Sequence, residues 1–340
     1  MLQQKSRNRQ FMNIIDSPLF SIIVPCYNST EYIESCFTGL RKQTIDPNFF
    51  EILFIDDCSS DDTVQKLNKF KESADFNVIV LQNANNLGPS LSRRKGAEVA
   101  SGEFLCFCDS DDWYSANCLD ELREEIDKSA ADLVIFDMSY ILRGKTIVKR
   151  VTSKFVYGDK SSYLAYCGES LCNMVVRKTI FLSVQPIDIR HGEDLALVPS
   201  IIMKSNIITH LDKPMYNYIM RGSSVSMGKV NRDAYINMLK AYAYIRNGVS
   251  NDDESLDKCI EFLGIKIILY DSTLMAVKGN NENSVLCGLV SDFEKQYAYW
   301  CHNSHQHALS ISKRIYLWAV RERLWFLIRL YAKLHSLVLL

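Results

Sequence analysis

Hydrophobic and polar positions alternate in a regular way along residues 20–140. Short apolar runs, rich in Ile, Val, Leu and Phe, have the length and composition of buried strands. The strands predicted in this way cover 20–24, 51–55, 77–81, 103–108 and 133–136. The segments between them, 30–43, 62–71, 89–100 and 116–128, have the periodicity of helices. This alternation predicts an α/β fold with a doubly wound, mostly parallel sheet flanked by helices.

The remainder of the chain has a different pattern. Residues 141–230 are less regular, whereas 234–245, 256–277 and 284–300 have helical periodicity. We therefore expect a flexible N-terminus over 1–17 and an α/β domain over 18–228, with halves at 18–140 and 141–228. A helical C-terminal region is expected over 229–340.

Composition narrows the class of protein. The 340 residues include 39 basic and 40 acidic side chains, and this balance argues against general nucleic-acid binding. The eleven cysteines form no CxxC pair, several lie in apolar runs, and no secretory signal opens the chain. These features predict reduced thiols in a cytoplasmic protein. No apolar stretch reaches the roughly 20 residues that a membrane-spanning helix needs.

Residues 311–340 form a basic and aromatic tail. Two Trp, two Tyr and one Phe lie among Leu and Ile, with six basic residues and one acidic residue. Such a helix suits the surface of an anionic membrane, and it also suits packing on the protein or on a second copy. We expect peripheral contact with the inner face of the cytoplasmic membrane, and packing or dimerisation stays open as the alternative.

Three carboxylates follow the apolar run 104–108, in the string Asp109-Ser110-Asp111-Asp112. Carboxylates this close raise each other's pKa unless a cation lies among them. Oxygen ligands suit Mn²⁺ or Mg²⁺, which often complete their coordination with substrate phosphates. Asp109, Asp111 and Asp112 are therefore predicted metal ligands at the end of a parallel strand.

Polar residues also follow other predicted strands. Asp56 and Asp57 end the second strand, where a carboxylate is suited to accept the N–H of a nucleobase. Arg93 and Arg94 lie in the helix after the third strand, and either one is a candidate to bind a diphosphate. Ligands bind at the C-terminal ends of the strands in such sheets, so these side chains are expected to share one site.

The order and spacing of these residues resemble the inverting glycosyltransferases of GT-A fold that are called family 2. The matching positions, over about residues 20–225, are Pro25, Tyr27, Asn28, Gln43, Thr44, Asp56, Asp57, Ser59, Asp61, Thr63, Asn86, Gly88, Arg93, Gly96, Ala100, Gly102, Asp109, Asp111 and Asp112. Farther on, 191–194 resembles the family's Gly-Glu-Asp element, and 216–226 resembles its later Tyr-x-Tyr-Arg segment. The chain departs from the family at two places. One is Ser92, and the other is 172–177, a segment in which relatives often carry Trp and Lys.

The resemblance implies a role for each matching side chain. The implied contacts to the nucleotide sugar are Pro25, Tyr27, Asn28, Asp57, Arg93, Asp109, Ser110 and Asp111. Among these, Asp57 is expected at a ring N–H of the base. Asp109 and Asp111 resemble the metal-binding DxD pair, with Asp112 as a third member. Asp194, the last residue of the Gly-Glu-Asp element, is the expected general base.

The implied function is metal-dependent transfer, with inversion, from a nucleotide sugar to a saccharide or lipid-linked acceptor. A UDP-sugar is the expected donor, Mn²⁺ or Mg²⁺ the expected cofactor, and cell-surface polysaccharide or glycolipid synthesis the expected process. One carboxylate deprotonates the acceptor, and the metal neutralises the departing nucleoside diphosphate. Two alternatives stay open: a nucleotide-sugar-binding partner without turnover, suggested by the departures at 172–177, and a nucleotidyltransferase that releases pyrophosphate.

Overall fold

The computed structural model describes residues 17–168, 170–189, 192–221, 231–249 and 254–338. The predicted flexible N-terminus, apart from residue 17, lies outside this part of the chain. The strands are β1 (Phe20–Cys26), β2 (Phe50–Asp56), β3 (Asn77–Gln82), β4 (Phe104–Phe107), β5 (Trp113–Tyr114), β6 (Leu133–Leu142), β7 (Lys145–Lys149), β8 (Met174–Arg177) and β9 (Ile208–Ile219). The five predicted strands all form, and the main difference is that β6 continues to Leu142.

Helices follow or separate most of these strands. They are α1 (Ile33–Arg41), α2 (Thr63–Ser73), α3 (Pro89–Val99), α4 (Cys118–Ser129), α5 (Lys160–Tyr166), α6 (Lys178–Ser183), α7 (Glu193–Lys204), α8 (Ala234–Asn247), α9 (Glu254–Gly264), α10 (Thr273–Lys278), α11 (Asn283–Gln296), α12 (Ile311–Arg321) and α13 (Trp325–Val338). A π-helical segment, Ile265–Ser272, joins α9 to α10 without a break. The long helix predicted over 256–277 is therefore one continuous helical stretch with a wider middle.

The nine strands form one mixed sheet in the order β3-β2-β1-β4-β8-β6-β9-β5, with β7 paired to β6. Strands β1 to β4 are mutually parallel, and β6 pairs in parallel with β9. Strand β8 is antiparallel to both β4 and β6, so β6 and β9 run in the same direction as β1–β4. The C-terminal ends of six strands therefore share one edge of the sheet.

Strands β1, β2 and β4 are buried along nearly their whole length. Their near-continuous apolar sequences are typical of parallel strands that are covered on both faces. Close packing at the start of β4 requires a glycine, since a Cβ at Gly102 would lie 2.6 Å from the Ser21 backbone nitrogen. The Gly102 N–H donates to the Ser21 hydroxyl at 2.8 Å, which fixes this end of β4 on β1.

The C-terminal region packs as helices on the sheet domain and on one another. Tyr270 of the π-helical segment contacts Tyr316 of α12 and Tyr331 of α13, with ring centroids 4.9 and 6.3 Å away. The Tyr270 and Tyr331 hydroxyls are 2.9 Å apart. These contacts fix one face of both terminal helices. In the part of the chain that the structure describes, every helix is too short or too polar to cross a membrane.

None of the eleven cysteines forms a disulfide bond. Most of them are buried, Cys287 and Cys301 are half-buried, and Cys58 is exposed. Cys58 has a φ of 64°, in the turn that follows β2.

Candidate active site

The loop between β4 and β5, which contains Asp109, Asp111 and Asp112 and is called the acidic loop, is hydrogen-bonded to Tyr216 of β9. The Tyr216 hydroxyl accepts a hydrogen bond from the Asp109 backbone N–H at 3.0 Å and donates one to Asp112 Oδ2 at 2.8 Å. The hydroxyl is fully buried, and burial raises the pKa of Tyr216 well above its usual range. It therefore acts as a neutral donor and acceptor that sets the position of the loop.

Asp112 departs from the predicted set of metal ligands. Its side chain is fully buried, and its Oδ1 accepts a 2.8 Å hydrogen bond from the Ile219 backbone N–H. With Oδ2 occupied by Tyr216, neither oxygen faces an open site. Burial and the neighbouring Asp109 raise the pKa of Asp112 to about 8. This geometry does not support a third metal ligand at Asp112, whose carboxylate instead ties the loop to the end of β9.

Arg93 of α3 joins the acidic loop to the start of α7. Its Nη2 is 2.7 Å from Asp109 Oδ1, and its Nη1 is 3.2 Å from Glu193 Oε1 and 3.4 Å from Asp194 Oδ1. The guanidinium is almost wholly buried. Burial opposes its charge, but Asp194, Asp109 and Glu193 hold the pKa of Arg93 well above its usual range. One positive charge is thus shared by three carboxyl groups that come from two distant parts of the sequence.

Arg94 is directed elsewhere. Its Nε donates to Glu98 on the same helix, and its Nη1 donates to the Leu182 and Val184 carbonyls at 3.0 Å. The sequence left Arg93 and Arg94 as equal candidates for the donor site. Of the two, Arg93 is the one that lies among the acidic residues.

Asp194 lies in the first turn of α7, where the helix dipole favours a negative charge. Its Oδ2 accepts a hydrogen bond from the Leu171 backbone N–H at 3.0 Å. Burial raises the pKa of Asp194 to about 7, with Glu193 adding to the rise, whereas Arg93 and the Leu171 N–H oppose it. A carboxyl with this pKa takes up and releases a proton near neutral pH.

Asp111 is paired with Arg221, which lies two residues after β9 and ends the described range 192–221. The two side chains form an ion pair, and the Arg221 guanidinium lies 3.6 Å from the centroid of the Tyr32 ring. Burial lowers the pKa of Arg221, and Tyr32 opposes that effect. The rest of the segment that resembles the family's Tyr-x-Tyr-Arg element, 222–226, lies outside the described residues.

Asp109 and Asp111 fit a divalent metal that is shared with a ligand. Their side chains are 36% and 21% exposed, so both carboxylates reach the surface of the site. Within the described ranges, no three Asp, Glu, His or Cys side chains are grouped closely enough to hold a metal alone. One or two carboxylates completed by substrate phosphates is a common coordination for Mg²⁺ in proteins. The donor set is therefore suitable for an ion that binds with a diphosphate.

The predicted nucleobase contact, Asp57, holds the loop before α3. Its Oδ1 accepts hydrogen bonds from Asn83 Nδ2 at 2.7 Å and from the Leu87 N–H at 2.8 Å. Its Oδ2 accepts one from the Gly88 N–H at 2.8 Å. Since a carboxylate has about four acceptor positions, these three hydrogen bonds leave one of them unused. The side chain is buried, and its observed task is to hold this loop.

The residues at the end of β1 and in the loop after it differ in function: one side chain is available to a ligand, and another holds the loop in place. Tyr27 is 53% exposed, and Asn28, which is also exposed, holds the loop through hydrogen bonds. The Asn28 N–H donates to the Ser59 hydroxyl at 2.9 Å, and its Oδ1 accepts from the Ser60 N–H at 2.9 Å. Pro25 is half-buried near the end of β1. Tyr27 is thus the side chain of this loop best placed to stack on a ligand.

Ser110, between the two candidate metal ligands, is also held by the β1 loop. Its hydroxyl is 2.8 Å from that of Ser29. The loops after β1, β2 and β4 are therefore joined by hydrogen bonds, as expected for residues at one edge of a sheet.

Two features of the site were not predicted from the sequence. Glu193 shares Arg93 with Asp194, and Tyr216 supports the acidic loop from β9. The position of Glu193 beside the expected base was a signal, but its partner lies 100 residues earlier in the chain. Arg190 and His191, which precede α7, lie outside the described residues.

Comparisons with known proteins place the chain in a family. The model of the family described as glycosyl transferase family 2 matches residues 21–183. WfgD of Escherichia coli, a UDP-Glc:α-D-GlcNAc-diphosphoundecaprenol β-1,3-glucosyltransferase, is 30% identical over 198 residues, which are 57% of this chain and 73% of WfgD. The chain belongs to glycosyl transferase family 2.

TarS, the poly(ribitol-phosphate) β-N-acetylglucosaminyltransferase of Staphylococcus aureus (strain Mu50), is a further relative. It is 36% identical over 119 residues, which are 35% of this chain but only 21% of TarS. The crystal structure of S. aureus TarS 1–349 with UDP-GlcNAc superposes with a TM-score of 0.67 at 24% identity, over 92% of this chain and 90% of that one. The predicted GT-A fold with a helical C-terminal region is confirmed.

Proposed function

We propose that the chain transfers a sugar from a nucleotide-sugar donor to a saccharide or lipid-linked acceptor, with inversion. The process is the synthesis of a cell-surface polysaccharide or glycolipid. One observation carries the proposal: Arg93 bridges Asp109, a candidate metal ligand, to Asp194, a candidate base. The two groups that such a transfer needs, one at the leaving diphosphate and one at the attacking hydroxyl, lie on opposite sides of a single buried guanidinium.

A UDP-sugar is the donor that the relatives support. TarS has been solved with UDP-GlcNAc and with UDP, and the name of WfgD gives UDP-Glc as its donor. In this chain, Tyr27 is available to stack on the base and Asp57 has one free acceptor position for a base N–H. The β1 loop, which contains Tyr27, is joined to the acidic loop through Ser29, and the loop after Asp57 is joined to the β1 loop through Ser59.

The expected cofactor is Mn²⁺ or Mg²⁺. A mannosyltransferase of Pyrobaculum calidifontis, with a TM-score of 0.58 and 12% identity, has been solved with GDP-Man and Mn²⁺. Asp109 and Asp111 are the residues that would hold the ion here, and a bound ion would supply positive charge to the leaving diphosphate. Asp112 is assigned to support of the loop.

Asp194 is the proposed general base. It would accept the proton of an acceptor hydroxyl as the oxygen attacks the anomeric carbon from the face opposite the diphosphate. Its pKa of about 7 matches this task, since a base works best when its pKa is near the working pH. Arg93 keeps part of the Asp194 population ionised, while its contact with Asp109 links the base to the donor side.

The proposed domain division assigns 18–228 to catalysis, with a donor half over 18–140 and an acceptor half over 141–228. The helical region over 229–340, including the tail 311–340, would hold the enzyme at the membrane where lipid-linked acceptors reside. We expect the protein on the cytoplasmic side, in peripheral contact with the inner face.

The first experiment measures nucleoside-diphosphate release from UDP-, GDP- and dTDP-sugars, with Mn²⁺, with Mg²⁺ and with EDTA. Wild type is compared with Asp111→Ala, Asp194→Asn and Asp212→Asn, the last a largely exposed carboxylate that serves as the matched control. We expect metal-dependent release from one donor. It should be lost in Asp111→Ala, reduced about 10²–10⁴-fold in Asp194→Asn and unchanged in Asp212→Asn.

Other outcomes identify the alternatives. Release of pyrophosphate instead of a nucleoside diphosphate would indicate a nucleotidyltransferase. Metal-dependent UDP binding with no release, even with saccharide and lipid-linked acceptors present, would favour a nucleotide-sugar-binding partner without turnover. Equal activity of wild type and Asp194→Asn at all pH values would refute Asp194 as the base.

A further inference from the structure

The two terminal helices carry an exposed apolar surface that the active site does not use. On α12 it consists of Ile311, Ile315 and Trp318, and on α13 of Phe326, Leu330 and Leu334; each is more than half exposed. Their spacings of three and four residues place each set on one face of its helix. We call these six residues the outer face. They are six of the sixteen large hydrophobic side chains exposed in the described chain.

Packing on the protein does not account for the outer face. The opposite sides of the same helices are already buried, through Tyr316, Leu317 and Val320 on α12 and through Ile328 and Ala332 on α13. Exposed apolar side chains that are grouped on one face of a helix usually mark a contact with a partner or a membrane.

The charge beside the outer face indicates the kind of partner. Residues 311–340 have six basic residues and one acidic residue, a net charge of +5. The whole chain carries −1, so the preceding 310 residues carry −6. Arg314 and Lys333 are exposed next to the apolar side chains, and neither forms an ion pair within the described residues. The inner basic residues are used by the fold, since Arg323 pairs with Glu294 and Arg329 binds Asn281.

We propose that the outer face binds the surface of an anionic lipid bilayer. Exposed Trp, Phe and Leu side chains insert at the boundary between head groups and acyl chains, while adjacent basic residues attract anionic lipid. A second copy of the chain is a poorer occupant, because the exposed Arg314 and Lys333 beside two such faces would repel each other. Such binding would place the enzyme where a lipid-linked acceptor resides, and this consequence rests on the function proposed above.

The test is co-sedimentation of the full chain with vesicles, without donor or acceptor. One set is pure phosphatidylcholine and the other contains phosphatidylglycerol in addition. Wild type should bind the anionic vesicles at least tenfold more tightly than the neutral ones, and less tightly at high salt. Because no sugar transfer is measured, a failure here is distinct from a failure of the proposed enzyme activity.

Two variants test the two components of the surface. Trp318→Ser with Phe326→Ser should weaken binding at least tenfold. Arg314→Gln with Lys333→Gln should weaken it by about 25-fold, since each basic residue at an anionic surface contributes about fivefold. Tyr299→Ser is the matched control, because Tyr299 is an aromatic residue 78% exposed elsewhere in the C-terminal region. All substituted positions are exposed, and circular dichroism checks that each variant is folded.

Tryptophan fluorescence provides a second measurement on the unaltered protein. Trp318 is 51% exposed, whereas Trp300 and Trp325 are buried, so lipid with brominated chains should quench a fraction of the emission. Failure of wild type to bind anionic vesicles, or unaltered binding of both paired variants, would overturn the proposal. A dimer in light scattering that Trp318→Ser with Phe326→Ser dissociates, without vesicle binding, would identify a second copy as the occupant.

Discussion

Replacing Arg93 by Met tests whether this residue acts on the base, on the donor or on both. Met has a similar length and no charge, so the change removes the one cation shared by Asp109, Glu193 and Asp194. At an effective dielectric constant of about 20, two unit charges about 4 Å apart interact by about 4 kcal/mol. That energy corresponds to a change of about three pKa units. Because the charge of Arg93 is shared by three carboxyl groups, the change in the pKa of Asp194 alone should be smaller.

We therefore expect the acidic limb of the pH–rate profile to move upward by about one to three pH units in Arg93→Met. In wild type this limb should lie near pH 7, because Asp194 must lose its proton to act as base and its pKa is about 7. The assay is nucleoside-diphosphate release between pH 5 and 10 at saturating donor. Arg94→Met is the control, since Arg94 contacts Glu98 and two carbonyl groups away from the acidic residues.

Arg93→Met should also lower the stability of the fold, and the loss should depend on pH. Loss of Arg93 raises the pKa of Asp194 further above that of the unfolded chain. A raised carboxyl pKa contributes stability at low pH that disappears as the pH rises through the folded pKa. The decrease in Tm should therefore be larger at pH 8 than at pH 5, and breaking a buried pair costs about 3–5 kcal/mol where the carboxylates are ionised. An unchanged acidic limb together with weaker donor binding would refute this account and assign Arg93 to the diphosphate alone.

Other predictions address the support of the site and the fold. Tyr216→Phe leaves the Asp109 N–H and one Asp112 oxygen without their partner, so the free energy of unfolding should fall by about 1–3 kcal/mol. The affinity for Mn²⁺, measured by electron paramagnetic resonance, should also fall. Equal Mn²⁺ affinity in the two proteins would refute the role of Tyr216 in positioning the acidic loop. Gly102→Ala should lower Tm because the new Cβ would lie 2.6 Å from the Ser21 nitrogen, whereas Gly288→Ala, with nothing within 4 Å, should leave Tm unchanged or raise it. A Gly102→Ala protein as stable as wild type would contradict the packing of β4 on β1.

Strands β1, β2 and β4 were predictable because they are buried along nearly their whole length. Such strands are continuous apolar runs that are bounded by turn residues. Strand β8 was not predicted, since Met174–Arg177 has only four residues and lies between short helical turns. Its antiparallel insertion depends on contacts with β4 and β6 that are far away in sequence.

The site was predictable in its residue types but not in their orientation. Neighbouring residues of an irregular loop point in different directions, so the string at 109–112 did not reveal that Asp112 is buried under β9. The same limit applies to Arg93 and Arg94, which lie about 100° apart around an α-helix. Packing of α3 against β1, β2 and α6 decides which arginine reaches the acidic residues.

The distribution of thiols gives the protein a natural reporter of nucleotide binding. Cys58 is the exposed cysteine, and it directly follows Asp57, the residue with one free acceptor position at the proposed base pocket. Alkylating reagents should modify Cys58 first, because buried thiols are inaccessible and poorly ionised. Labelling followed by mass spectrometry, with and without UDP, would show protection if the base binds beside this turn. A fluorophore attached there would follow donor binding in the unmodified sequence, without an engineered cysteine.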